Sequence, residues 1–215
     1  MRQPQRGFTL IEIAIVLVII GLLLGGVLKG QELITQAKIK NVANDMNGVS
    51  VAIYAYQDRY KRLPGDDNAA TARWTTIALK QGDGNSQIAG TYNSVDDDIE
   101  TRIFWSHLRF AGLISGPTNN VANASSQPTN AAGGITGVQQ GALGMGGLVI
   151  CSGKLPAKIA QAVDSQFDDG VAGTGSVRAI VDAGVPTTAV PTAANNAIPN
   201  YVDDNSNLYV VCKTV

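Results

Sequence analysis

The sequence predicts an α+β protein in which a long N-terminal α-helix packs on a small antiparallel or mixed β-sheet. Three observations lead to this prediction. Residues 8–28 form an apolar run that is long enough to span a bilayer. Residues 39–60 carry an apolar stripe at helical spacing, and three short β-rich runs follow residue 146. A chain of 215 residues has room for one domain and an appendage.

Composition excludes several classes of protein. Hydrophobic residues make up 45 % of the chain and charged residues 15 %. A disordered chain has the opposite composition, with few hydrophobic and many charged residues. The net charge of −1 gives no indication of a nucleic-acid partner. Two cysteines and one histidine argue against a multi-ligand zinc site. A membrane-anchored periplasmic enzyme is the alternative class, but the chain shows no convergent catalytic set, so no enzymatic activity is predicted.

The N-terminal apolar run contains one charged residue, Glu12. As a helix its 21 residues would be about 31 Å long, which matches a bilayer core. Arg2 and Arg6 precede the run and Lys29 follows it. Short basic N-termini stay in the cytoplasm, so everything beyond Lys29 is predicted to be extracytoplasmic.

Two simpler explanations of this run account for it less well. A secretory signal peptide has a shorter apolar region followed by a small-residue cleavage site, and GGVLKGQEL is not such a site. A plain membrane anchor explains the length but not Glu12, because a carboxylate within a spanning helix costs roughly 3 kcal/mol. Snorkelling of Glu12 to the headgroups is the remaining simple alternative.

The residues from Arg6 to Glu12 read RGFTLIE. This closely resembles the class III leader of type IV pilins and of the pseudopilins of type II secretion systems. The resemblance is strong over about the first 35 residues and looser up to residue 65. It implies a membrane peptidase that cuts after Gly7 and methylates the new amine of Phe8. This sequence departs from the family pattern at Lys29, a position at which many members of the family carry a helix-bending proline.

The resemblance also implies how the chain assembles. Glu12 of an incoming subunit would pair with the Phe8 amine of its neighbour and fix the axial register, although a pair within one chain is also one helical turn apart. The implied partners are other copies of the chain in a helical filament, a prepilin peptidase/methyltransferase and the inner-membrane assembly machinery. The precursor would lie in the bacterial inner membrane and the product in a cell-surface or periplasmic filament.

The predicted organisation has four parts. Residues 1–7 are the leader, residues 8–29 the half of the helix that lies in the membrane or the filament core, residues 30–62 its amphipathic half, and residues 63–215 the extracytoplasmic globular domain. The amphipathic half is defined by an apolar stripe with a strict 3-4 spacing, formed by Ile39, Val42, Met46, Val49, Ile53, Tyr56 and Tyr60. A coiled coil is the alternative use of that stripe. Leu63-Pro64-Gly65 ends the helix.

Two further helices are predicted between residues 66 and 113. The first is capped by Asp66–Asn68 and runs through Trp74 to Leu79, and the second is capped by Asp96–Asp98. Between them, Asp83 and Asn85 begin a sequence like a calcium loop, but later ligands are missing and a turn is preferred. The uncharged stretch from residue 110 to 153 suits loops and turns, or a surface that packs against identical neighbours.

The predicted strands are residues 147–151, 176–181 and 207–212, with a helix from Ala157 to Phe167 between the first two. Cys151 and Cys212 lie in two of these strands, and an oxidising compartment favours a disulfide. Such a bridge also resembles the disulfide-bounded C-terminal region of type IV pilins. No cofactor is expected, but calcium is a minor candidate at Asp164, Asp168 and Asp169, whose alternative role is that of helix-end and turn carboxylates.

Three roles remain open within this class. The cysteine pair favours a pilus subunit, whereas YQDRYKRLPGD (residues 56–66) looks more like the turn after the long helix of pseudopilins. A minor or tip pilin with a binding role would carry the same leader. A pilus subunit is the preferred prediction.

Overall fold

The computed structural model describes residues 9–75, 79–182, 200–204 and 206–215. The chain forms two compact units, Met1–Ala37 and Lys38–Val215. In chain order the elements are α1 (Leu10–Tyr60), α2 (Ala70–Arg73), α3 (Glu100–Phe110), α4 (Val121–Ser125), β1 (Thr136–Ala142), β2 (Met145–Pro156), α5 (Ala157–Phe167), β3 (Val177–Asp182) and β4 (Leu208–Thr214).

The predicted α+β fold is confirmed. The four strands form one sheet in the order β1-β2-β4-β3, and every pair is antiparallel. The apolar stripe of α1 is part of the core of the second unit, so it is not a coiled-coil seam. It packs with residues of α3 and of the sheet, among them Phe104, Trp105, Leu108, Val138, Ile150, Tyr209 and Val211.

Strand β1 lies within the uncharged stretch that was predicted as loops and turns, so that prediction was wrong there. Its sequence, TGVQQGA, is poor in the β-branched and aromatic residues that mark strands. Tertiary contacts compensate, because buried Gln139 accepts a hydrogen bond from the Tyr92 amide at 3.2 Å and donates one to the Gly141 carbonyl at 2.6 Å. Gly137 is required because any Cβ there would collide with the Tyr92 backbone.

Both predicted helix caps after α1 were wrong. Helix α2 is a single turn preceded by Ala69, and α3 is preceded by Ile99, with no side-chain cap on either. The carboxylates that were expected to cap them bind elsewhere. Asp66 accepts hydrogen bonds from loop amides, and Asp97 pairs with Arg102 at 2.5 Å. An acidic side chain accepts hydrogen bonds from any nearby donor. An acidic residue just before a helix is therefore only weak evidence that it caps that helix.

Candidate functional site

The first turn of α1 places Thr9 and Glu12 in reciprocal contact. One Glu12 carboxylate oxygen accepts hydrogen bonds from the Thr9 amide and hydroxyl, both at 2.8 Å. The Glu12 amide donates to the Thr9 hydroxyl oxygen at 3.4 Å. This is a capping box, in which Thr-x-x-Glu satisfies the unpaired amides of a helix start. In the single chain, therefore, the Glu12 carboxylate is bound by its own helix, a role that the Thr-x-x-Glu spacing signals but the sequence analysis missed.

The predicted processing residues, Gly7 and Phe8, lie outside the described residues. Cleavage between them and methylation of Phe8 stay predictions, as does the assembly role of Glu12.

The apolar part of α1 is exposed to its surroundings. Its large apolar side chains between Leu10 and Leu28 are 46–88 % exposed, and the mean hydropathy of its most apolar stretch is 2.8. Among the described residues, this is the one helix long and apolar enough to cross a membrane. A continuous apolar surface of this kind needs lipid or other chains to cover it.

The predicted disulfide is present between Cys151 and Cys212. The two residues face each other directly in the register of β2 and β4, and both are fully buried. They form part of a small second core with Tyr92, Val149 and Val210. The bridge therefore joins the two central strands of the sheet.

The first weak calcium candidate lies in a cluster of carboxylates from Asp66, Asp83 and Glu100, whose oxygens come within 4.8 Å of one another. Asp66 accepts hydrogen bonds from the amides of Gly84, Asn85 and Ser86 at 2.7–2.9 Å. Glu100 accepts from the amides of Asp83 and Ala89. These bonds shape the loop between α2 and α3, and calcium at Asp83 and Asn85 stays a prediction.

The second candidate group, Asp164, Asp168 and Asp169, also places its oxygens within 4.8 Å of one another. Each carboxylate already accepts hydrogen bonds from the loop before β3 or from Tyr201, which donates to Asp164 at 2.7 Å. Asp169 accepts from the Val171 amide at 2.9 Å, and Asp168 from the amides of Ser176 and Val177. Calcium takes six to eight oxygen ligands. The bonds give these carboxylates a structural role, and calcium there stays a prediction.

His107 lies at the centre of a polar network that no local sequence pattern indicates. The amide of Gly65 donates to His107 Nδ1 at 2.9 Å, so the proton lies on Nε2, which donates to the Lys80 carbonyl at 2.9 Å. Next to it, Asp67 accepts from the Tyr56 hydroxyl and from Arg73, both at 2.7 Å. The network ties the LPGDD segment after α1 to α3.

Because His107 is buried, protonation should destabilise the domain. Burial lowers the pKa of His107 to about 4, whereas in the unfolded chain it titrates near 6.5. Between these values the unfolded state binds more protons, so the free energy of unfolding should fall by up to about 3 kcal/mol as the pH drops from 6.5 to 4. Urea denaturation at a series of pH values measures this loss.

His107→Gln is the matched variant for this pH series. The variant lacks the titrating imidazole. Whatever its stability at pH 7, the fall in its free energy of unfolding between pH 6.5 and 4 should be smaller than in the wild type. Wild type and variant having equal slopes between pH 6.5 and 4 would contradict the assignment.

A long α1 that starts with a capping box and an exposed apolar surface, followed by an α+β domain, is pilin-like architecture. Residues 2–28 match the family model described as the prokaryotic N-terminal methylation motif. The chain therefore carries a prepilin leader of the type IV pilin class, which supports a membrane-anchored precursor that is processed as a pilin or pseudopilin-like subunit. No curated protein and no solved structure shows a significant match to the chain.

Proposed function

We propose that the chain is the structural subunit of a type IV pilus-like filament, processed by a prepilin peptidase and polymerised through its N-terminal helix. The observation that carries the proposal is the combination of the methylation motif with the exposed apolar helix directly behind it. Cleavage after Gly7 would keep this helix in the product. The helix is then available first as a membrane anchor and later as a packing surface between subunits.

Lipid and a filament core both keep this helix away from water. Moving it from one to the other therefore gains no hydrophobic energy, and packing and polar contacts decide the arrangement. Glu12 is the acidic group of the membrane-spanning part. In the proposed filament its carboxylate leaves the Thr9 cap and pairs with the Phe8 ammonium of a neighbour, because two opposite charges are tolerated in a low-dielectric core when they are paired.

The disulfide between the two central strands supports a pilus subunit over a pseudopilin of a type II secretion system. The preference rests on the resemblance of this bridge to the disulfide-bounded C-terminal region of type IV pilins, since a disulfide persists in the oxidising periplasm as well as outside the cell. The pseudopilin is the alternative favoured by the LPGD segment, and a minor or tip subunit would share the leader. The proposed location is the inner membrane for the precursor and the cell surface for the filament.

Intact mass spectrometry of protein sheared from the cell surface, without reductant, tests the proposal. We expect a mass that lacks residues 1–7, gains one methyl group and is two hydrogens below that of the reduced chain, because the disulfide stays closed. Processed protein found only in the membrane fraction would favour the pseudopilin or minor-subunit alternative. Retention of residues 1–7 in cells that possess the peptidase would contradict processing altogether.

A further inference from the structure

Leu33 and Ile34 are apolar side chains of α1 that are exposed although they lie outside the apolar run. Their exposed fractions are 61 % and 59 %. They come after Leu28, at which the apolar run ends, and before Ile39, at which the buried stripe begins. This stretch of the helix therefore presents an apolar surface that the globular domain does not cover.

The same stretch carries an excess of positive charge. Residues 29–40, which we call the juxtamembrane segment, contain three lysines and one acidic residue, Glu32. Glu32 pairs with Lys29 at 2.7 Å. Lys38 and Lys40 have no ion pair among the residues that the structure describes. Two uncompensated positive charges thus accompany the exposed apolar surface.

All these residues lie on one continuous helix, so helix geometry gives their distance from a bilayer. With Leu28 at the hydrocarbon boundary, Leu33 lies about 8 Å and Lys40 about 18 Å beyond it. The headgroup zone is roughly 5–8 Å deep on each side of a bilayer. Side chains of a helix point towards its N-terminus, so the lysine ammonium groups are directed back towards the headgroups. Attraction between charges reaches about 8 Å further at physiological salt.

We propose that the juxtamembrane segment binds anionic phospholipid headgroups in the extracytoplasmic leaflet of the membrane that holds the precursor. Leu33 and Ile34 lie among the headgroups, and the ammonium groups of Lys38 and Lys40 are attracted to the lipid phosphates. Basic residues next to a membrane strengthen its hold on a protein in this way. The inference rests on the membrane anchor of the proposed function.

A second copy of the segment fits this surface less well than lipid does. Precursors of one sequence cross the membrane in one orientation, so their juxtamembrane segments lie at the same height. Two segments side by side would place Lys38 and Lys40 next to identical charges, which repel each other. Anionic lipid offers the opposite charge to both lysines.

The test places a nitroxide label at residue 37 of the full chain, through Ala37→Cys, in lipid bilayer discs. Ala37 is exposed and lies one turn beyond Leu33. The disulfide between Cys151 and Cys212 is closed and buried, so only the new thiol is labelled. Electron paramagnetic resonance measures the collisions of the label with an uncharged, water-soluble nickel complex.

Two lipid mixtures are compared, phosphatidylcholine alone and phosphatidylcholine with one quarter phosphatidylglycerol. We expect the collisions of the label at residue 37 to fall at least about twofold when the anionic lipid is present. They should recover in about 0.5 M NaCl, in which the screening length is only about 4 Å.

Charge variants and a second label locate the contact. Lys38→Gln together with Lys40→Gln should abolish the difference between the two mixtures. Lys61→Gln together with Arg62→Gln removes the same charge beyond the other end of α1 and should behave like wild type. A label introduced by Val18→Cys, within the membrane-spanning part, reports on the anchor itself. It should collide with oxygen dissolved in the bilayer and not with the nickel complex, in both mixtures.

Three results would overturn the lipid contact alone. In the first, residue 37 is equally accessible in both mixtures although the label at residue 18 lies in the bilayer. In the second, the double lysine variant keeps the difference. In the third, protection of residue 37 follows the number of subunits per disc and not the lipid charge, which would assign the surface to a neighbouring copy. A label at residue 18 that stays in water would contradict the anchor and this inference together.

Discussion

Cells that carry Glu12→Gln are expected to make no filaments, while the amount of processed subunit in their membranes stays normal. Glutamine keeps an oxygen that can accept the Thr9 hydrogen bonds seen in the structure, so the start of the helix is preserved. It has no charge to pair with a neighbouring Phe8 ammonium. Leaving that ammonium unpaired in the filament core costs about 3–5 kcal/mol at every subunit contact. Electron microscopy and immunoblots of the sheared and membrane fractions measure both quantities.

Thr9→Val separates the two roles of Glu12. It removes the capping hydroxyl but keeps the carboxylate, so filaments should still form if the charge sets the register. Loss of filaments in Thr9→Val together with normal filaments in Glu12→Gln would mean that capping, not charge pairing, is the essential role. Glu32→Gln is the matched control, because Glu32 lies on the same helix, is exposed and pairs with Lys29. It should assemble normally.

Removal of the disulfide should have the largest effect on the stability of the domain. The bridge closes a loop with a sequence separation of 61 residues, and on the chain-entropy model its loss lowers the free energy of unfolding by about 4 kcal/mol. Since whole domains are stable by only about 5–15 kcal/mol, the variant with both Cys151→Ala and Cys212→Ala should unfold at a much lower urea concentration. Urea titration of detergent-extracted protein measures the difference.

Reductant supplies the control for this experiment. It should destabilise the wild type towards the level of the double variant and leave the double variant unchanged. Equal urea midpoints for oxidised wild type and double variant would show that the bridge contributes no stability.

Several parts of the fold could be predicted because a clear local sequence pattern marks each of them. The stripe from Ile39 to Tyr56 is buried as its spacing requires, and α5 has its predicted bounds of Ala157–Phe167. The β-rich runs became β2, β3 and β4. In each case the intrinsic preference of the residues agrees with the tertiary environment.

The missed parts depend on contacts between residues far apart in the sequence. Strand β1 is held by Gln139 and by the close passage of Tyr92. The role of His107 depends on Gly65, which is 42 residues away. For the candidate assembly site, the prediction singled out Glu12 and overlooked its capping contact with Thr9. The partner of Glu12 in a filament belongs to another chain, and no single sequence contains that contact.

The position of the bridge between β2 and β4 also bears on how the chain responds to tension. A covalent link between two facing strands carries force directly from one strand to the other, so the segment between Cys151 and Cys212 cannot be drawn out while the bond is intact. A fully extended segment of that size would measure about 200 Å. A domain pulled by its N-terminal helix can therefore lengthen only through residues before Cys151. The segment between the two cysteines would be released only if the disulfide were broken.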